Sequence, residues 1–444
     1  MGLGDEHSLI YQQIGVNRPQ AQFLSLKFFK NMLKLSHLKK EDKKLYQLIK
    51  KEIERQKYTL DLIPSESLVP LSVLEVLATP LTNKYSEGYP FKRYYPGTAI
   101  IDEIEILAQE RAKKAFGLDQ NWEVNIQPYS GSPANLAVYF ALLKPYETIL
   151  GPALTSGGHL THGAKVNFSG KMYNAIYYEI DPKTERFNYS QISELAKIYR
   201  PKIIVSGTTA YPREIDFKKI GKIAKKVGAY HLADISHIAG LIIAKKHQSP
   251  FEYADIVTTT THKTLNGPRG AVIFSRKEIS QKINKAVFPG IQGGPHQNII
   301  AAIALTFKIA QTQKFKKIQT QIVKKAKILA KELKKYKFHL LSGGTDNHLI
   351  LINLKNKKIS GKEAEMILEE AGILANRNTI PGDEKPFLPS GLRLGTPSVT
   401  FRGLKEKEMI KIAEFLYRLI DKKESPQKIK KEVISLCKKF PLNY

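Results

Sequence analysis

Cysteine is nearly absent from this chain of 444 residues: Cys437 is its only one. That excludes an intrachain disulfide and any cysteine-based metal cluster, and it suits a reducing, cytoplasmic setting. Long apolar runs are missing too. None reaches the ~18–20 residues needed to cross a bilayer, so no membrane partner is expected. The opening stretch, MGLGDEHSLIYQQIG, carries Asp5 and Glu6 and has no apolar centre. It argues against a secretory signal or a transit peptide. Glu6 also stands where a myristoylation motif needs Ser or Thr. Neither an internal repeat nor a low-complexity linker is found.

Acidic residues are scarce as well, 41 against 70 lysines and arginines, for a net charge of +29. A charge of that size keeps nucleic acid open as a partner. The segment Phe315–Tyr336 tests the idea. Phe315, Ile318, Ile322, Ala326, Leu329, Leu333 and Tyr336 recur at helical spacing, with lysines 316, 317, 324, 325, 331, 334 and 335 between them. That pattern predicts one amphipathic helix with a solvated basic face. It lacks interleaved aromatics for stacking bases, and no nucleic-acid module signature accompanies it. An RNA-binding protein on an enzyme scaffold stays as the reading from another class.

Apolar residues make up 42% of the chain, enough for a sizeable core. Short apolar runs predict strands at 148–152, 175–180, 202–207, 230–236, 256–261 and 270–276. Helical patterns lie between most of them, the clearest from Phe217 to Val227. Such alternation predicts an α/β fold, a mostly parallel mixed sheet flanked by helices, with ligands beyond the strand carboxyl ends. Beyond about residue 311 the texture changes to a long basic helix, a run at 348–354, a helix at 361–370 and a run at 391–397. The expected division is a helical N-terminal arm and segment (1–88), a large α/β domain (89–310) and a smaller C-terminal α+β domain (311–444).

Chemistry concentrates at strand ends. In TTTTHKTLNGPRG, Thr258–Gly270, four β-branched residues suit a strand and Gly267-Pro268 forces a turn. Between them stand His262 and Lys263. A buried ammonium is costly unless paired or neutralised, and one use that repays the cost is a Schiff base with an aldehyde cofactor. Asp234, in ADISH, precedes Lys263 by 29 residues, about one strand-helix-strand unit. Pyridoxal phosphate needs such a lysine and an acid facing its ring nitrogen. His237 is placed to flank the ring. In YSGSPANLAVYFALL, Ser130-Gly131-Ser132 makes a small-residue turn into an apolar helix, a start that offers backbone N–H groups to a phosphate. PGIQGGP (289–295) is a second glycine-rich loop.

These motifs, with LTNKYSEGYPFKRYYPG (81–97), SGGHLTHG (156–163), VNFSGK (166–171), AVFPGIQGGP (286–295) and SGGTDNHL (342–349), resemble the serine hydroxymethyltransferase family over roughly residues 58–420. The resemblance implies the pyridoxal phosphate type I fold. It also implies a homodimer, or a tetramer, with sites shared between subunits. The implied reaction converts L-serine and tetrahydrofolate to glycine and methylenetetrahydrofolate. Lys263 is then the imine lysine, Asp234 the partner of the pyridinium nitrogen and His159 the ring that stacks on it. His237 and Thr209 bond the ring's substituents. Ser130, Gly131, Ser132 and His262 serve the phosphate, with Tyr85 and Gly294 arriving from a second subunit. Arg393 grips the amino acid carboxylate, a task that suits a planar guanidinium fork, and Ser65 touches the amino acid. Glu87 and Tyr95 handle proton transfer and folate, and Leu154, Gly158, Leu160 and Asn347 the pterin. Pro64, Ser67, Leu68, Pro133 and Thr209 depart from the usual family residues. The basic segment before Tyr46 is an addition to the compact bacterial pattern. A folate-independent β-hydroxy amino acid aldolase and an α-methylserine-type transferase are the alternatives on the same fold.

Overall fold

The computed structural model describes residues 35–383 and 388–442. Much of the N-terminal segment expected to be helical lies outside the described residues. They form two compact units, one of residues 35–59 with 434–442, the other Leu60–Val433. The first carries helix α1 (Lys43–Tyr58), started by Asp42, whose side chain accepts a hydrogen bond from the Leu45 backbone N–H at 2.9 Å.

The second unit is built on a seven-stranded sheet. Its strands are β1 (Trp122–Asn125), β2 (Thr148–Pro152), β3 (Asn174–Tyr178), β4 (Ile203–Ser206), β5 (Tyr230–Asp234), β6 (Ile256–Thr260) and β7 (Ala271–Arg276). They lie in the order β1-β7-β6-β5-β4-β2-β3. Only β7 runs against its neighbours, pairing antiparallel with both β6 and β1; the other pairs are parallel. The sheet is thus mixed and mostly parallel. The short strand WEVN has too few apolar residues to signal itself in the sequence, and only pairing with β7 defines it.

Side chains alternate across this sheet and feed two cores. Leu150, Ile204, Ala233, Val257, Val272 and Phe274 face one side, with Phe217, Ile220, Phe307 and Phe315 from the covering helices. Ile149, Ile203, Val205, Leu232, Ile256, Ala271 and Ile273 face the other, against Val138, Tyr139 and Val287. Strands buried on both faces must be apolar nearly throughout, which is why they read as short continuous runs. Helices that cover them include α2 (Ala99–Phe116), α3 (Gly131–Leu142), α4 (Phe217–Val227) and α5 (Gln297–Ala310).

Helix α6 (Gln313–Lys335) begins two residues before its first periodic apolar residue, because the Thr312 hydroxyl accepts the Phe315 backbone N–H at 3.2 Å. Its basic face is not wholly solvated. Lys325 is buried, and burial pushes its ammonium pKa down against the pull of Glu406 and Glu408. Beyond α6 an antiparallel sheet forms from β8 (His339–Leu340), β9 (Leu349–Asn353), β10 (Asn376–Asn378) and β11 (Gly391–Gly395), ordered β8-β9-β11-β10. In register, Arg393 of β11 stands between Leu351 and Asn376. This sheet is tied to the start of the unit, where Leu60–Asp61 pairs with Ile373–Leu374 and the Gly395 backbone N–H donates to Leu62 O at 2.7 Å.

Phe274 is fully buried, with Phe116 and Phe251 edge-on at 5.2 and 5.3 Å. Phe274→Ala removes this ring and leaves a cavity that surrounding strands cannot close. It should cost about 3–5 kcal/mol of unfolding free energy, read from urea denaturation. A loss below about 1 kcal/mol would contradict this packing.

Candidate active site

Parallel strands end together, so the residues just past β2, β4, β5 and β6 gather at one sheet edge. There a cavity of about 140 Å³ opens. It brings together nine of the expected residues: Ser130, Gly131, Ser132, His159, Thr209, Asp234, His237, His262 and Lys263. It also includes Asn135, His162, Thr208, Ser236, Thr260 and Arg269, which the sequence did not single out. Gly207 lets β4 end this close to β5. Its φ is +114°, and a Cβ there would lie 2.0 Å from the Asp234 carbonyl oxygen.

Asp234, the last residue of β5, is the only acid lining the cavity among the described residues. One carboxylate oxygen accepts the Ser236 backbone N–H at 3.0 Å and the other accepts the Asn135 amide at 2.9 Å, with His162 Nε2 at 3.2 Å. The His162 tautomer follows from its other contact. Its Nδ1 accepts the His159 backbone N–H at 3.2 Å, so the proton is on Nε2 and is donated to Asp234. Burial alone would raise the carboxyl pKa. Bonds from His162, Ser236 and Asn135 outweigh it and hold the group well below the usual carboxylate range.

Lys263 lies in the turn between β6 and the antiparallel β7. Thr261 staples that turn: its hydroxyl donates to Pro268 O at 2.6 Å, and its carbonyl accepts the Gly267 N–H at 2.8 Å. The Lys263 ammonium donates to Thr260 Oγ1 at 2.8 Å. Burial lowers its pKa to about 8, with Asp234 pulling up and Arg269 and Arg393 pushing down. Burial and nearby charges also keep three imidazoles neutral. His159 is lowered to about 4 and His262 to about 3, and His237 is held well below its ordinary value.

The cavity suits pyridoxal phosphate by three observations. At the α3 start, Gly131 leaves room that a Cβ would fill at 2.7 Å from Thr260 Cγ2, and Ser130 makes no capping bond with its side chain. Nearby, the His262 Nδ1 is buried without a partner among the described residues, a donor or acceptor left for a ligand. An amine and a carboxylate then face the same space, as an aldehyde-bearing pyridinium requires.

Arg393 reaches the rim from the C-terminal sheet. Its Nη1 donates to Thr209 O at 2.5 Å and its Nε to Asn376 Oδ1 at 3.2 Å. Asn376 lies in the polar strand NRN, whose sequence gives no sign of this. Pro64 packs on Gly395, which brings Ser65 to the same strand end. The Thr209 hydroxyl donates to Gly157 O and Gly158 O, at 3.3 and 3.4 Å, tying the β2 turn with Leu154, Gly158 and Leu160 to the rim. Asn347 is not brought to the cavity. Its side-chain amide donates to Tyr211 O and its Oδ1 accepts from Leu349 N, both at 3.0 Å, which holds it beside the strand of the C-terminal sheet.

Tyr85, Glu87, Tyr95 and Gly294 form a second cluster that does not line the Lys263 cavity. The Tyr85 hydroxyl donates to Glu87 Oε1 at 3.2 Å, and the Tyr85 and Tyr95 rings meet edge-on at 4.9 Å. A Cβ on Gly294 would press on the Tyr85 ring at 3.1 Å. Arg93 anchors this loop. It bonds Asp102 and Glu105 at 2.8 and 2.7 Å and also donates to Ser86 O and Gly88 O. Aromatic side chains around the cluster stand in the open: Phe91 is 83% exposed, Tyr94 75% and Tyr85 53%.

The lysine's depressed pKa has a kinetic consequence. Imine formation between the cofactor-free protein and pyridoxal phosphate needs the neutral amine, so its rate should climb with pH and level off above about 8. A solvated lysine would level only near its usual ~10.4. Asp234→Asn should move the midpoint lower still, because the carboxylate supports the charged form. Stopped-flow absorbance measures both; a rate still climbing past pH 10 would refute the buried setting.

One comparison bears on identity. The model of the serine hydroxymethyltransferase family matches residues 38–416, a span that holds the whole Lys263 cavity and the Tyr85 cluster. Members of that family have the type I fold, use pyridoxal phosphate and transfer one-carbon units. With a mixed seven-stranded sheet, a lysine and an aspartate at adjacent strand ends and a match over most of its length, this chain belongs to the serine hydroxymethyltransferase family.

Proposed function

We propose that this protein catalyses the reversible transfer of the hydroxymethyl carbon of L-serine to tetrahydrofolate, leaving glycine. The observation that carries the reading is the convergence of Lys263, Asp234 and Arg393 on one buried space. Bound pyridoxal phosphate supplies an electron sink for the pair released when a bond to the amino acid's α-carbon breaks. Lys263 holds the aldehyde carbon and returns a proton. Asp234, ionised across the physiological range, keeps the ring nitrogen protonated. His159 offers a neutral ring face, and Ser130, Gly131, Ser132 and His262 take the phosphate. Arg393 orients the substrate carboxylate, with Thr209 and Asn376 fixing its fork. Ser65 sits where it can touch the amino acid. Leu154, Gly158 and Leu160 make the nearby wall for a pterin.

The same reading gives the exposed cluster its place. A homodimer in which Tyr85, Glu87, Tyr95 and Gly294 enter the neighbour's cavity covers the open aromatic face and completes both sites. Glu87 then meets the serine hydroxyl and the folate, and can move a proton between them.

Two experiments test this. Glu87→Gln keeps shape and removes the titrating group. It should slow serine-to-folate transfer by about 10²–10⁴-fold, while folate-independent cleavage of allo-threonine loses far less. Equal losses would make Glu87 merely structural; no loss in either assay would make it a surface acid and weaken the folate reading. For the shared site, inactive Lys263→Ala and Tyr85→Ala proteins are mixed under conditions of subunit exchange. Hybrids restore one intact site, so activity should partly return. No return, with exchange confirmed by mass labelling, counts against the dimer reading.

A further inference from the structure

His237 and His348 meet where the two sheets approach. His237 follows the end of β5, and His348 directly precedes β9. The His237 Nδ1 lies 3.3 Å from His348 Nε2. The ring planes are inclined by 26° and the centroids are 5.5 Å apart. That separation is about the nitrogen–nitrogen distance plus one ring radius at each end. Both nitrogens therefore lie close to the line joining the centroids, and the contact is an in-plane hydrogen bond rather than a face-to-face stack. Such a bond holds one proton, so the tautomer of one ring dictates that of the other.

Two arrangements satisfy it, and the far side of His348 chooses between them. His348 is fully buried, and its Nδ1 has no partner among the described residues. If His237 donates, His348 must carry its own proton on that orphaned Nδ1. If His348 donates, the orphan is only a lone pair. Buried donors without acceptors are rarer than under-used acceptors, so the second arrangement is the cheaper. Protonating both rings is opposed by burial and by Lys263 and Arg393, which face both; His247 also opposes charge on His348, and His159 on His237. The His348 carbonyl accepts the Thr396 N–H at 3.1 Å, which fixes the ring's position relative to the strand of Arg393.

We propose that His348 is a positioning residue that locks His237 with its proton on Nε2, so that His237 faces the cavity as a fixed hydrogen-bond donor and not as a base. His237 Nε2 has no hydrogen-bond partner among the described residues and belongs to a cavity-lining ring. What it meets must be an acceptor oxygen, such as a phenolate or a carboxylate. The tautomer is a property of the chain alone; only the identity of that acceptor rests on the function proposed above.

The test uses full-length, cofactor-free protein labelled with ¹⁵N at histidine, with His237 assigned by the signals lost in His237→Gln. At neutral pH, NMR should find the proton of His237 on Nε2 and its Nδ1 bare. A proton on Nδ1, or a charged ring, overturns the proposal. His348→Gln keeps an N–H near the place of Nε2 and should keep the tautomer. His348→Met removes the donor. It should release His237 into a tautomer mixture and weaken pyridoxal phosphate binding by about two- to tenfold, the worth of one neutral hydrogen bond. An unchanged tautomer in a folded His348→Met overturns the proposal. Should that variant not fold, the wild-type spectrum decides alone.

Discussion

One buried carboxylate sets the electrostatics of this protein's site. Among the described residues, Asp234 is the only negative charge lining a cavity that also holds Lys263 and Arg269, with Arg393 at its rim. Its ionised form survives burial because Asn135, His162 and Ser236 supply hydrogen bonds from three directions. The rest follows from that charge. It keeps Lys263 from losing its proton altogether, while burial brings the ammonium within reach of neutral pH. His159, His237 and His262 stay neutral because burial penalises their charged forms and the nearby Lys263 adds repulsion.

Backbone geometry delivers these groups with little freedom. Strands β5 and β6 are neighbours, so Asp234 and Lys263 end at one edge, and the Thr261 staple fixes the turn that carries the lysine. Arg393 comes from a different sheet, but it is held in register between Leu351 and Asn376 and bonded to Thr209. Two contacts, Arg393 to Thr209 and His237 to His348, thus couple the large sheet to the C-terminal one at the cavity. Any shift between the sheets would disturb substrate binding and the His237 tautomer together.

The Tyr85 cluster follows a different logic. Arg93 shares two buried carboxylates, and burial pushes the Glu105 pKa up while the guanidinium opposes it. So strong an anchor for a loop with an exposed aromatic tip suits a surface that must keep its shape before it meets a partner. The charge of Glu87 raises the pKa of the Tyr85 phenol, so the hydroxyl remains a donor.

Much of this was legible in the sequence, for a physical reason. Strands buried on both faces must be apolar throughout, so TILGP and IVTTTT announce themselves, and small residues are obligatory where a backbone approaches a phosphate. Asp234 and Lys263 could be paired from spacing because a parallel sheet repeats its strand ends at a steady interval. Local pattern carries no record of partners distant in the chain. WEVN and NRN become strands only by pairing, and Asn135, His162 and Asn376 acquire roles only from what faces them. Asn347 bonds the backbone of Tyr211 and Leu349, the first of them 136 residues away, which no local pattern records. Lys325 fell among solvated lysines by spacing but is buried. The sequence by itself determined the sheet, the helices and the chemistry at the strand ends, because those depend on periodicity and side-chain type. Tertiary structure alone decided which polar atoms remain free to meet a ligand, because that depends on long-range hydrogen bonding, to which local periodicity is blind.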